Sequence, residues 1–415
     1  MLNNPALVID NGAGSVKAGF SGENEPRCVM PNCTARLRNQ LQVLVGDEVD
    51  TGIRDKSQLS FQRPFDRGYL VNWETESEVW HRMFDSQHLK CNPADQPLIM
   101  TEAPFPPRAL QEVMNEVIYE EFGFPAYLRC PGPALSVFYE QAIEDEVNQP
   151  APTVTADEMV VVDAGFSFSH VYPFHQGRAI QKAVQRLNIG GKLMTNYLKE
   201  VVSYRQWNMM DEFELINQVK EALCFASLDF EGDLRSTRRR GRSSIAREFV
   251  LPDYKSVFTG FAREPGGAVG VGEAIVGDDA HQVLAMERER FSVPELLFNP
   301  SDIGIKQAGL AECVVASIAK CPTEIQPALY ENILLTGGSA NLPNFKERMQ
   351  REVRSLAPDH CVVNVRLPDG CAPQVHAWRG GSKFGATPDY ACFCVTRQEY
   401  QEHGHRLCDQ KFSDW

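Results

Sequence analysis

MVVVDAGFSFSHVYPFHQG, residues 159–177, runs from a solid apolar stretch into Asp163, through a short turn of small residues broken by Phe166, and on through a second apolar stretch to Gly177. The first stretch reads as a buried strand and the turn as a tight hairpin. Such a turn offers backbone N–H groups to a phosphate while the aspartate faces a metal ion. Phe166 stands against that picture and is assigned to packing rather than to contact with a substrate.

The pattern occurs twice. ALVIDNGAGSVKAGFSGEN, residues 6–24, has the same order of apolar strand, aspartate, glycine-rich turn and second strand closing on glycine. Asp10 and Asp163 are 153 residues apart (163 − 10), about one domain length. The spacing predicts a duplicated lobe. Two such turns facing each other across a cleft would clamp a polyphosphate, with Lys17 as a point charge and Asp10 and Asp163 holding a hydrated magnesium ion. A third glycine turn lies in NILLTGGSANLPNFKERMQREV, residues 332–353, where Gly337 and Gly338 permit close approach of a ligand and Ser339 or Asn341 is expected to cap a helix. Each turn taken alone is also what an ordinary hairpin or strand-to-helix connection requires.

Between the turns, strands alternate with amphipathic helices. Helical periodicity runs over residues 108–122, 190–204 and 212–230, the last placing Ile216, Val219, Leu223 and Ala226 on one face. The fold class expected is α/β in both halves.

Composition narrows the partners. With 415 residues, 43% of them hydrophobic, the chain can bury two or three cores of ordinary size. The 12 cysteines include no paired CxxC motifs, so Cys28, Cys33 and the CFC at 392–394 are read as free thiols rather than zinc ligands. No leader pattern precedes Leu7-Val8-Ile9, and reduced thiols and an intracellular home are expected. No apolar run approaches the roughly 20 residues that cross a bilayer. A net charge of −14 disfavours nonspecific nucleic-acid binding by the surface as a whole, so any DNA contact must be local.

Several stretches together resemble the actin superfamily, in that family's order and across nearly the whole chain. They are IDNGAGSVKAGFSGENEPR from Ile9, YLVNWETESEVW from Tyr69, TEAPFPPRALQEVM from Thr101, KEALCFASLDFE from Lys220, RFSVPELLFNPS from Arg290, LLTGGS from Leu334 and WRGGS from Trp378. GYLVNW, RLNIGGKLMTNYLKEVVSYRQ, FNPSDIGI and VTRQEYQEHGH further resemble the nuclear actin-related proteins of Swr/SRCAP-type chromatin remodellers. The resemblance implies an actin-like, ribonuclease H-like pair of lobes around a central nucleotide cleft. Lobe I would comprise residues 1–148 and 376–415, with a small subdomain at about 31–66. Lobe II would comprise residues 149–375, with a small subdomain at about 190–296 that carries an insertion at 259–286.

Carried over residue by residue, Asp10, Gly12, Gly14 and Lys17 match the first phosphate turn, with Ala13 in place of a serine. Asp163 and Gly165 match the second turn, with His170 beyond it. Lys220 and Glu221 fall at the adenosine pocket, and Gly337 and Gly338 where backbone approaches the nucleotide. The implied cofactor is ATP or ADP with magnesium, the alternative being no nucleotide at all. Gly132 stands where the family's water-positioning glutamine is expected, so hydrolysis should be slow or absent. Phe166 replaces an acidic residue and Ser167 a glycine; a left-handed Ser167 would carry strain on the order of 1 kcal/mol. Asn217 and Gln374 replace basic residues beside the adenine.

The same resemblance implies a non-catalytic subunit in the nucleus, with cytoplasm as a further location. Its partners would be a remodeller motor subunit, a zinc-finger subunit and, through the complex, histones and nucleosomal DNA. A short loop before Val45 and Asp302 in place of an aromatic disfavour filaments. TGFAREPGGAVGVGEAIVGDDAHQVLAM, residues 259–286, reads either as a solvated loop or as a docking segment. DLRSTRRRGRSSIAR, residues 233–247, sets Arg238, Arg239, Arg240 and Arg242 in one short stretch, a local site for an anionic partner such as DNA. The rival readings are an active actin-like ATPase and a cytoskeletal actin-related protein.

Overall fold

The computed structural model of the chain describes residues 4–37, 42–53, 56, 59–85, 87–146, 156–238, 243–265, 269–271, 274–276 and 282–413. Each expected aspartate hairpin forms and sits at the centre of its own mixed sheet. In the first, Leu7–Asn11 pairs antiparallel with Ser15–Phe20 and parallel with Leu98–Glu102. The sheet extends through Cys28–Pro31 on one side and through Ala126–Pro131 and Val395–Thr396 on the other. In the second, Glu158–Ala164 pairs antiparallel with Ser169–His175 and parallel with Ile333–Thr336. A hairpin with a parallel neighbour on its first strand is therefore repeated. The apolar runs that made these strands readable are fully buried at Leu7–Ile9 and at Met159–Val162, as central strands covered on both faces must be.

The register places equivalent residues at equivalent points. Asp10 lies opposite Lys17, and Asp163 lies opposite His170. Each half packs its own apolar core. One is built around Trp80, Phe124, Tyr127 and Trp378, the other around Val162, Leu198, Phe249 and Phe345. The helices Gly132–Glu146 and His376–Gly385 pack side by side. A Cβ at Gly380 would fall 1.9 Å from the Leu135 carbonyl oxygen, so this close crossing requires the glycine of the WRGGS stretch. Trp378 anchors the crossing to the first strand, its indole N–H donating to the Val8 carbonyl at 3.0 Å.

Two small sheets flank these cores. Thr34–Leu37 pairs with Val43–Val45 and Leu59–Gln62, while Arg247–Val250 pairs with Phe261–Arg263 and Val283–Met286. The stretch 259–286 thus contributes two strands to a sheet, and Val269–Val271 pairs with Ala274–Val276 in a hairpin of its own.

The helix expected over 212–230 ends earlier, at Leu223. Apolar periodicity continues to a buried Ala226, but Phe225 N–H donates to Arg290 O and Ala226 N–H to Pro343 O. Tertiary partners have taken over the backbone there. Neither Ser339 nor Asn341 caps the following helix. Gly338–Asn341 forms a short 3₁₀ turn, and the helix Phe345–Leu356 starts after Asn344.

Candidate functional site

All ten cleft residues expected from the sequence line one cavity of about 730 Å³, a size ordinary for a small-molecule site. Gly132, Phe166, His170, Asn217 and Gln374 line it as well. Both aspartate turns reach it because each ends a central strand, and the Gly337-Gly338 turn reaches it from Ile333–Thr336, beside Asp163. The N–H groups of Ala13 and Gly14 in the first turn, Phe166 and Ser167 in the second, and Gly338 in the third have no acceptor among the described residues. Successive free donors on turns of this kind suit an anion.

The charged side chains are more engaged than the sequence implied. Lys17 is not a free point charge: its Nζ donates to Asp10 Oδ2 at 2.9 Å, while Thr101 donates its hydroxyl to Oδ1 at 2.8 Å. Asp163 holds the matching place with Thr336 beside it in register. Burial, followed by the negative charge of Asp10, pushes the Asp163 carboxyl up to about 6, with Lys17 pulling the other way. Among the described residues no three His, Cys, Asp or Glu side chains form a cage that would hold a metal unaided. The aspartate pair suits an ion that keeps its waters and takes other oxygens from phosphates. All 12 cysteines are free.

Lys220 is buried and donates to Gly191 O at 3.3 Å, Thr195 Oγ1 at 3.0 Å and Asn217 Oδ1 at 2.8 Å. Burial lowers its pKa. Asn217 in turn donates to Glu221 at 2.8 Å, and Asn341 donates to Gln374 at 2.6 Å. Amides bonded to their neighbours thus line the cavity at both places.

Gly132, His170 and Phe166 line the same cavity. Gly132 has no side chain, and a Cβ added there would meet Ala377 Cβ at 3.4 Å and Thr101 Cγ2 at 3.8 Å. His170 is buried, and burial together with Arg186 drives its pKa down to about 3, so the imidazole is neutral at ordinary pH. Phe166 packs between the two turns: a Cβ at Gly14 would lie 2.9 Å from its Cγ. Ser167 is not among the residues with positive φ, so the second turn carries no left-handed strain there.

Sequence reasoning missed Thr101, Arg63 and Glu214. Thr101 had a signal, since LIMT at 98–101 and ILLT at 333–336 each end an apolar strand in threonine. Arg63 and Glu214 had none. Of the arginine stretch, Arg238 is exposed at the end of the helix Phe230–Arg238, while Arg239, Arg240 and Arg242 lie outside the described residues.

A duplicated mixed-sheet fold whose paired aspartate turns meet a glycine turn at one cavity defines an actin-type protein. Residues 1–413 match the family described as Actin, and the chain belongs to that family. It is similar to the protein named actin-related protein 6 from Oryza sativa subsp. indica, with 39% identity over 429 residues covering 98% of each chain. Its similarity to the protein of that name from Neurospora crassa is 39%, covering 98% of this chain and 94% of that one. For the one from Drosophila melanogaster it is 35%, covering 99% of this chain and all of that one.

Proposed function

We propose that this chain is a non-catalytic actin-related subunit of a nuclear remodelling complex that exchanges a variant histone into nucleosomes. The observation that carries the reading is the end-to-end similarity to relatives named actin-related protein 6. In this proposal the folded body is a scaffold for the remodeller's motor and zinc-finger subunits and helps to engage nucleosomal DNA, with Arg238 to Arg242 as one contact. The motor's ATP drives exchange. The lobes divide near residues 148 and 375, and the chain works in the nucleus, with a cytoplasmic pool as a further expectation.

In the cleft, the free N–H groups of the three turns and the Asp10 and Asp163 pair would hold ATP or ADP with a hydrated magnesium ion. Lys220 and Glu221 would line the nucleoside end. A glycine at position 132 and a phenylalanine at 166 support slow or absent turnover, because phosphoryl transfer depends on positioning the attacking water. A bound nucleotide would then stabilise the fold by mass action.

Purification of the tagged chain from nuclear extract should bring down remodeller subunits, and its depletion should lower variant-histone incorporation. A chain that never copurifies with them, and whose loss leaves incorporation unchanged, defeats the proposal. Magnesium-dependent hydrolysis well above background in the pure protein, abolished by Asp163→Asn, would favour the ATPase reading.

A further inference from the structure

Side chains from both halves of the molecule meet at the mouth of the cleft. Arg63, just after Leu59–Gln62, pairs with Glu214 on the helix Phe213–Leu223 and donates to the Gly14 carbonyl at 3.4 Å. Its guanidinium carbon stands 4.9 Å from the ring centroid of Phe166 and 5.5 Å from that of Phe213. Those two rings meet edge to face with centroids 6.2 Å apart. Phe166 backs directly onto Gly14, so one ring touches both aspartate turns. The Arg63 side chain is only 13% exposed, which places the cation in a slot where its attraction to an aromatic face and to a carboxylate is little screened. A second crossing stands beside it: Arg186 donates to the Tyr69 hydroxyl at 3.0 Å and lies 4.1 Å from the Phe168 ring centroid.

We infer that Phe166 and Arg63 form a latch built into the chain, which holds the two halves together across the cleft independently of any nucleotide. The ring at position 166 supplies the apolar face on which the Arg63 guanidinium rests. Gly14 leaves the space the ring fills, and Glu214 fixes the far side of the cation. The latch goes beyond the function proposed above and stands whether or not the cleft takes a nucleotide, so the two ideas fail on different measurements.

The test uses the full chain, stripped of nucleotide in chelator, and measures small-angle scattering together with exchange of the hydrogen-bonded Gly12 and Gly165 amides, one in each turn. Arg63→Ala and Phe166→Ala should each raise the radius of gyration. Each should also speed exchange at both turns by roughly tenfold, the factor that corresponds to about 1.4 kcal/mol. The double variant should add little to either single change, because one broken member already frees the other. Phe166→Tyr, which keeps the ring face, should stay closed. Wild-type scattering and exchange in both single variants, or effects that sum as for independent sites, would overturn the latch. If Phe166→Ala does not fold, Arg63→Ala and Glu214→Gln at the partly exposed mouth give the same comparison.

Discussion

Lys17 and Asp10 face each other across the first hairpin, with Nζ 2.9 Å from Oδ2 and side chains 9% and 15% exposed. The pair is nearly buried, and Asp163 adds a second carboxylate to the same cavity. Removing the cation leaves Asp10 with the Thr101 hydroxyl but no opposite charge, a loss worth about 3–5 kcal/mol for a buried pair. Lys17→Met should therefore lower the unfolding midpoint sharply. Adding Asp10→Asn to it should recover part of the loss, since the orphaned charge has gone. A double variant as unstable as the sum of the two single ones would show that the pair is not coupled.

Asp163 gives a pH prediction. Its carboxyl, raised from 3.8 to about 6 by burial and by Asp10, binds a proton more tightly in the folded chain than in the unfolded one. The stability it contributes is therefore present below about pH 4 and is lost as pH rises through about 6. Asp163→Asn keeps the neutral form at all pH values. In chelator the variant should exceed wild type by about 1–3 kcal/mol at pH 7.5, and by much less near pH 4.5. Melting curves at the two pH values check this, and equal stabilities at pH 7.5 would contradict it. In magnesium and nucleotide the same variant should bind more weakly.

The aspartate hairpins could be read from the chain because a carboxylate after a run of apolar residues is a local feature, and Asp10 and Asp163 carry it at a domain's separation. Whether Lys17 is free or paired depends on cross-strand register, which sets it opposite Asp10 and which composition does not encode. The periodicity over 212–230 outruns the helix, which ends at Leu223, for a related reason. The period through Ile216, Val219, Leu223 and Ala226 is real, but the acceptors that end the helix, Arg290 O and Pro343 O, lie far along the chain. Phe166 packs against Arg63, yet that arginine sits in the unremarkable run SFQRPF. Long-range pairings of this kind belong to the folded surface rather than to any motif.

Beneath the first turn, Glu76 is fully buried. Its Oε1 accepts from Trp80 Nε1 at 3.0 Å and from Asn32 Nδ2 at 3.5 Å, while Oε2 has no partner among the described residues. Burial pushes its carboxyl up to about 7, against the pull of the hydrogen bonds from Asn32 and Trp80. As with Asp163, the raised value means stability held at low pH and lost as pH rises, here through about 7. Glu76→Gln should remove that slope, giving a gain on the order of 2–3 kcal/mol at pH 8 that shrinks toward pH 5. Thermal unfolding across this range decides it, and a variant less stable than wild type at pH 8 would contradict it.

Gly337 and Gly338 are neighbours that should respond in opposite ways to one added methyl group. Gly337 has φ +86°, and a Cβ there would lie 2.5 Å from Ala164 O and 2.7 Å from Asp163 Oδ1. Left-handed strain and the clash together predict a loss of about 2–4 kcal/mol for Gly337→Ala. At Gly338 a Cβ would meet nothing within 4 Å among the described residues, so Gly338→Ala should change stability by less than about 0.5 kcal/mol. That methyl group would, however, sit on a turn lining the cavity, beside a free N–H donor. If the turn approaches a nucleotide, Gly338→Ala should weaken binding of a fluorescent ATP or ADP analogue severalfold while leaving the melting curve of the unliganded chain in place. Unchanged affinity in a well-folded Gly338→Ala protein would remove this turn from the binding site and leave Gly337 with a purely structural role.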